Sequence, residues 1–329
     1  MDPLLSVRSL RVEATSSVGT IVAVDRFDLD IYPGDVIGLI GESGSGKTTA
    51  VRSLLGLTER NVRLAEGSIS FQGEQVLGDG KNHLDRLRGR HVGMVFQNAS
   101  SSLNPLLKIK TQMRQVLRVN RSDQGAAAHQ RRIEEVISRM GFHDPKRVLR
   151  SYPHQLSGGM RQRAAIAIAI VSEPEIVIAD ESTSALDVTT QAEVMELVRE
   201  LATDMGHSLI YVTHDLLLAA EVCTRMAVMY GGEIVEEGPT ASVIASPSHP
   251  YTLGLLRSVP MWAKRATLVG IEGTPPRVTP GFKGCRFASR CPHAVDACSQ
   301  SDVAWTETRQ DQGFRCIQPE GAPLHLGNR

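Results

Sequence analysis

Three apolar runs organise the chain. From Ile21 to Ile31 apolar and polar residues alternate with a period of two, the pattern of a strand with one buried face. Asp35 to Ile40 and Ile176 to Ala179 are apolar without alternation, which predicts strands covered on both faces, as in a parallel sheet. From about Asn98 to Arg163 the pattern turns helical. Within GAAAHQRRIEEVISRMG, residues Ile133, Val136, Ile137 and Met140 recur at helical spacing and are expected to form a core stripe. After Ala241 the character changes, with six prolines between Pro247 and Pro280 and then a run of cysteines. The pattern therefore predicts an α/β core, a helical insertion and a C-terminal extension starting near residue 242.

Composition narrows the class. The 329 residues, 41% hydrophobic and 22% charged, suffice for two or three globular units. Lys plus Arg and Asp plus Glu both number 36, so the balance gives no basic face of the kind a dedicated nucleic-acid binder carries. The longest apolar run, Ala164 to Val171, is far shorter than the roughly 18 to 20 residues that span a bilayer. The start, MDPLLSVRSLRVEA, has no sustained apolar stretch after a basic segment, so a secretory signal is not expected and the chain is expected in the cytosol. That reducing compartment makes structural disulfides the least expected use of five cysteines.

The most specific chemistry lies in VIGLIGESGSGKTTA, where Gly41, Gly46, Lys47 and Thr48 stand in GxxxxGK[ST] spacing between a buried-strand pattern and a helical run. Glycines let successive backbone N–H groups turn toward phosphate oxygens, and the following helix aims its positive end at the same anion. Gly41, Ser43, Gly44, Ser45, Gly46, Lys47, Thr48 and Thr49 are thus candidate nucleotide-binding residues, with Lys47 on the β and γ phosphates and the Thr48 hydroxyl on magnesium. EIVIADES closes a second buried run with Asp180 and Glu181, acids placed at a strand end to hold magnesium and to polarise an attacking water. A solvated turn would use the same residue types, but the neighbouring phosphate loop favours the catalytic reading.

In YPHQLSGGMRQRAAIA, residues Ser157, Gly158 and Gly159 open a long helical run and supply a second helix-start anion site with no lysine of its own. One active site does not need two phosphate cradles. Here the chain resembles the ATP-binding subunits of ABC transporters, in which LSGG is the signature that closes over ATP on the opposite subunit. The remaining motifs follow in order. Gln97 in VFQ resembles the Q-loop glutamine that senses magnesium and the γ phosphate, Asp187 ends a D-loop-like SALD, and His214 in YVTHD resembles the switch histidine. SSLNP, HPYTLGLL and the late cysteines resemble the oligopeptide and dipeptide importer branch, which also includes nickel uptake systems. One departure is Ala14, in LRVEATSSVGT, where the family usually carries an aromatic that stacks on adenine.

The resemblance implies an α/β fold: a P-loop NTPase core of ABC type over 1–97 and 164–241 with an antiparallel β subdomain, a helical signature subdomain over 98–163, and an extension over 242–329. It implies an ATPase that powers peptide uptake, with ATP and Mg2+ as cofactors, Thr48, Gln97 and Asp180 around the magnesium, and Glu181, His214 and Gln97 as catalytic residues. The implied partners are a second, related ABC ATPase subunit, two membrane permease subunits and an extracytoplasmic substrate-binding protein, with no nucleic acid. The implied location is peripheral, on the cytoplasmic face of the cell membrane. The alternative is a soluble ABC ATPase acting on nucleic acid or ribosomes. Such proteins usually carry a long coiled coil or two ATPase halves, and neither pattern is present here.

Cys285, Cys291, Cys298 and Cys316 are separated by five, six and seventeen residues, unlike the short knuckles of structural zinc. Four thiolates suffice for an iron-sulfur cluster. The importer branch implies a 4Fe-4S cluster in this extension, His293 beside Cys291 keeps a three-cysteine, one-histidine zinc site open, and unliganded or disulfide-forming cysteines are the third reading. Cys223, within an apolar helical run, is expected to be plain core.

Overall fold

The computed structural model describes residues 2–17, 19–97, 102–180, 197, 200, 206–259, 270–308 and 311–317. The chain divides into two units. The first comprises Met1–Tyr32, Val36–Asn82 and Tyr211–Arg329, and the second Pro33–Asp35 and His83–Ile210.

In the first unit, strands β1 (Leu5–Ser16), β2 (Gly19–Ile31), β4 (Val62–Phe71), β5 (Glu74–Gly78) and β6 (Lys81–Asn82) form an antiparallel sheet in the order β2-β1-β4-β5-β6. The alternation expected from Ile21 onward is present but interrupted. Val22 and Val24 face the core, then Phe27, Leu29 and Ile31, with one extra residue between the two sets. Strand β1 makes the matching jump between Val7 and Leu10, and the pairing register shifts there. Ser9 and Arg26 adopt left-handed φ of 47° and 45°, so each strand carries a bulge that returns its apolar residues to the buried face.

The same unit contains β3 (Val36–Ile40), β10 (Arg225–Tyr230) and β11 (Glu233–Pro239). Strands β3 and β10 pair in parallel from Arg225 opposite Ile37 to Val228 opposite Ile40. All five residues of β3 are buried, which is why its sequence lacks alternation. Strands β10 and β11 form a hairpin whose turn, Gly231 and Gly232, has φ of 55° and 91°, a conformation that tight hairpins demand and glycine supplies. The extension adds two short strands, β12 (Thr306–Glu307) and β13 (Gly313–Phe314), the latter paired with β11 through Glu236 and Glu237.

In the second unit, β7 (Val92–Val95) runs parallel to β8 (Ile176–Asp180), and β8 neighbours β9 (Ser208–Thr213), whose residues through Ile210 belong to this unit. This unit carries helices over Ile109–Asn120, Ala126–Arg139, Pro145–Arg150 and Gly158–Ile170. Ile133, Val136, Ile137 and Met140 are all buried, so the predicted stripe is a core face. Gly93 lets the last of these helices sit close to β7: a Cβ at that position would lie 2.4 Å from the carbonyl oxygen of Ala169.

Candidate nucleotide and cysteine sites

The phosphate loop follows β3 directly in the first unit. Gly44 and Gly46 have φ of 82° and 100°, and Gly46 caps helix α1 (Lys47–Leu54). The loop is closed on itself and on the β10–β11 turn: Ser45 N–H donates to the Glu42 carbonyl at 3.1 Å, and Gly232 N–H donates to the Ser45 carbonyl at 2.9 Å. Lys47 is 4% exposed, and its ammonium donates to the carbonyls of Gly41 at 2.7 Å and Glu42 at 2.9 Å and to Ser45 Oγ at 3.4 Å. It thus spans the loop as a charged strut. Ser43 and Gly44 are exposed at the loop tip, and Thr48 and Thr49 are half-buried in the first turn of α1.

His214 lies in the same unit, exposed, between β9 and a short helix. Asp215 Oδ1 caps that helix by accepting from the N–H groups of Leu217 at 2.9 Å and Leu218 at 3.2 Å, and its own N–H donates to Thr213 Oγ1 at 3.0 Å. The turn that carries His214 is therefore pinned on both sides.

The second unit holds the other candidates. Gln97 is exposed just beyond the end of β7, and Asp180 is 0% exposed as the last residue of β8. Ser157 caps the helix Gly158–Ile170, its Oγ accepting from Met160 N–H at 3.3 Å. Ser157 and Gly158 are exposed and Gly159 is half-buried at this helix start. Glu181 and Asp187 lie outside the described residues.

The extension gathers its cysteines. Cys285, Cys291, Cys298 and Cys316 line a single cavity of about 340 Å3, together with His249, Phe287 and His293. The Cys285 N–H donates to the Cys298 carbonyl at 2.7 Å, and Gly284 permits that approach, since a Cβ there would stand 2.5 Å from the same oxygen. Burial pushes the Cys285 thiol up to about 11, reinforced by Cys316, Cys298 and Cys291, and burial raises Cys291 as well. Cys223 is separate, a buried residue whose thiol burial pushes up to about 12, as expected of plain core. Four cysteines on one cavity supply the soft donors that a metal group would need, but burial favours the protonated thiol at Cys285 and Cys291. Among the described residues no three His, Cys, Asp or Glu side chains are placed to share one metal ion.

His249 adds an open valence to this cavity. It is fully buried, burial pushes its imidazole down to about 3, and Nδ1 accepts from Tyr251 N–H at 3.1 Å. Nε2 then carries the proton of the neutral ring, and it has no hydrogen-bond partner among the described residues. Sequence reasoning read HPYT only as a branch marker and missed that its histidine and tyrosine reach into two sites. Tyr251 Oη accepts from the Glu42 N–H at 2.8 Å, inside the phosphate loop.

Comparison with known proteins gives these sites a context. Residues 24–184 match the ABC transporter family, and residues 235–298 match the C-terminal region of oligopeptide/dipeptide transporters. A putative peptide import ATP-binding protein of Brucella ovis is 40% identical over 96% of this chain and 97% of its own length. The oligopeptide transport ATP-binding protein OppD of Escherichia coli is 38% identical, covering 91% of this chain and 89% of its own. Among solved structures, a dimeric ATP-binding cassette in a post-hydrolysis state with ADP and Pi superposes with a TM-score of 0.62 at 28% identity, over 72% of this chain and 98% of that one. No helix among the described residues is long and apolar enough to cross a membrane. The chain belongs to the ATP-binding subunits of ABC transporters, in the oligopeptide/dipeptide branch of that family.

Proposed function

We propose that this chain is the ATP-hydrolysing subunit of a peptide importer, working on the cytoplasmic face of the membrane. The observation that carries the reading is the presence of two different anion cradles, the Gly46–Lys47 loop and the capped helix start at Ser157, each present once among the described residues. Two complete sites then require a second, related ATPase subunit. Peptide as cargo is supported by the relatives, which are named as peptide import, oligopeptide transport and dipeptide transport ATP-binding proteins. Two permease subunits and an extracytoplasmic binding protein complete the proposed system. Neither the relatives nor the sites favour a nucleic-acid or ribosome substrate.

In this proposal Gly41, Ser43, Gly44, Ser45, Gly46, Lys47, Thr48 and Thr49 hold one nucleotide, and Ser157, Gly158 and Gly159 cap the nucleotide of the partner subunit. Lys47 exchanges its carbonyl partners on the loop for β and γ phosphate oxygens. Thr48, Gln97 and Asp180 are the residues that would hold magnesium, which would neutralise charge on the phosphates. Glu181 takes a proton from the attacking water as its oxygen bonds to the γ phosphorus and the bond to the bridging oxygen breaks, while His214 contacts the γ phosphate. Residues 98–163 form the signature subdomain between the core segments 1–97 and 164–241, and 242–329 form the extension.

The test is Glu181→Gln in the assembled transporter. ATP binding should persist while hydrolysis slows enough for the closed, ATP-bound dimer to accumulate. Wild-type turnover would remove Glu181 from its role and the mechanism with it.

For the extension we propose that Cys285, Cys291, Cys298 and Cys316 hold a 4Fe-4S cluster. The cluster would supply positive charge and four covalent tethers to a proline-rich segment with little core of its own. Anaerobically purified protein should be brown, absorb broadly near ~400 nm and contain about four irons per chain. Colourless protein with stoichiometric zinc would replace the cluster by the zinc alternative. Full stability of Cys291→Ser would reject any structural metal.

A further inference from the structure

A phosphate loop gains nothing from a carboxylate, yet Glu42 is the second residue of this one. On the proposed function, that loop holds the phosphates of the nucleotide, and an uncompensated negative charge within it opposes their binding. The structure resolves the conflict through Arg290, on the turn just before Cys291. Its guanidinium grips the Glu42 carboxylate in bidentate fashion, Nη1 to Oε2 at 2.9 Å and Nη2 to Oε1 at 3.2 Å. The other three N–H groups are also used: Nε donates to the Glu272 carbonyl at 2.8 Å, Nη2 to the Ile271 carbonyl at 3.1 Å and Nη1 to Tyr230 Oη at 3.2 Å. All five donors are satisfied and the side chain is 5% exposed, so Arg290 is fixed from the extension side before it meets the loop.

Glu42 is held at every polar group it has. The carboxylate goes to Arg290, the N–H to Tyr251 Oη at 2.8 Å, and the carbonyl accepts from Lys47 Nζ at 2.9 Å. Tyr251 is itself fully buried, its ring 4.5 Å from that of Tyr230 and 5.4 Å from that of Phe287. Both residues that hold Glu42 from outside the loop, Arg290 and Tyr251, come from the C-terminal extension. We propose that Arg290 is a positioning residue of the nucleotide site: it neutralises and orients Glu42 so that the phosphate loop accepts ATP. The extension is then part of the nucleotide site. The inference rests on direct bonds in the chain and stands whether or not the cysteine cavity holds a metal.

The experiment is a double-mutant cycle on the full chain, read as the Kd of a fluorescent ATP analogue and its dependence on salt. Arg290→Ala leaves the Glu42 charge uncompensated in the loop, and affinity should fall about tenfold at low salt, the loss shrinking as salt screens the repulsion. Adding Glu42→Gln to Arg290→Ala removes that charge and should recover most of the affinity. A purely structural role predicts the opposite, since the second substitution deletes a further contact. Unchanged affinity in Arg290→Ala, or no recovery in the double variant, overturns the proposal. Should Arg290→Ala fail to fold, Glu42→Gln alone decides: with one negative charge fewer beside the phosphates, affinity should hold or rise, and a tenfold loss overturns the assignment.

Discussion

Gln312 Nε2 donates to the buried carboxylate of Glu236 at 2.5 Å, tying the end of the extension to strand β11. The same carboxylate accepts from the N–H groups of Ser248 at 2.6 Å and His249 at 3.0 Å, so one acidic side chain on the sheet seats two separate stretches of the extension. Gln312 also reaches the Ser246 carbonyl at 3.1 Å. Gln312→Ala leaves a fully buried carboxylate short of a donor, which costs about 1 to 3 kcal/mol. Chemical denaturation should register that loss, and limited proteolysis should cut the extension sooner. An unchanged denaturation midpoint would show that the seat lies elsewhere.

Glu236 also sets a pH dependence. Burial pushes its carboxyl up, and four donors, the N–H groups of Ser248 and His249 and the side chains of Thr252 and Gln312, offset this only in part. The folded chain therefore holds this proton to higher pH than the unfolded chain, whose carboxyl titrates near about 4.3. Stability from this group is complete below that value and is lost as pH rises through the folded one. Glu236→Gln should be less stable throughout, because its amide faces N–H donors, and it should lack this slope. Parallel stability profiles for the two proteins between pH 4 and 8 would refute the assignment.

Glu13, on β1, should behave in the opposite sense. The hydrogen bond from Arg63 at 2.8 Å, with Arg11 at 3.0 Å, holds its carboxyl below the usual carboxylate range. Its contribution is present above about pH 4.3 and is lost as pH falls through the lowered value. Arg63 is largely exposed, so the pair is worth only about 1 kcal/mol. Glu13→Gln should lower Tm at pH 7 and converge on the wild type in acid. A gap that persists at the acid end would assign the loss to packing instead.

Local features were legible in the sequence and distant ones were not. The Ser157 cap is set within three residues, the stripe from Ile133 to Met140 within two helical turns, and the apolar run of β3 by burial on both faces. Each depends on neighbours that a short window contains. The bulges at Ser9 and Arg26 escape such a reading, because two strands must agree on a register before either residue needs a left-handed backbone. The grip of Arg290 on Glu42 spans 248 positions, and neither residue type signals it alone. The cysteine cavity lies between these cases. Its cysteines were visible, but only folding brings Cys316 to the cavity that the other three line.

The loop's glycines give a sharper test of its shape than its lysine does. Gly46 has φ of 100°, and a Cβ there would lie 2.4 Å from the backbone carbonyl oxygen of Ala23. A backbone atom in a paired strand cannot yield as a flexible side chain could. Gly46→Ala should therefore cost about 1 to 2 kcal/mol from the left-handed backbone alone, with the clash in addition. Nucleotide binding should vanish although Lys47 is intact. Retained ATP affinity in a folded Gly46→Ala protein would show that the loop opens to another conformation before it binds.

The resemblance to ABC ATPases sets Ala14 where that family usually carries an adenine-stacking aromatic, which makes the base end of the nucleotide testable. Ala14 lies near the end of β1, paired with Ile21 of β2 on one side and Val62 of β4 on the other, and it is only half-buried. An alanine offers a base no ring face, so most of the binding energy must come from the phosphate loop, and ATP and GTP should be held with similar affinity. Restoring an aromatic should change that. Stacking is worth about 0.5 to 1.5 kcal/mol beyond burial, so Ala14→Tyr should tighten ATP binding by roughly twofold to tenfold. The neighbouring strands hold the backbone on both sides, so the substitution changes the surface at one point without moving the sheet. Titration of ATP and GTP against both proteins checks this directly. A strong preference for ATP in the unaltered chain, or no gain in Ala14→Tyr, would place the adenine against other residues and remove Ala14 from the base site.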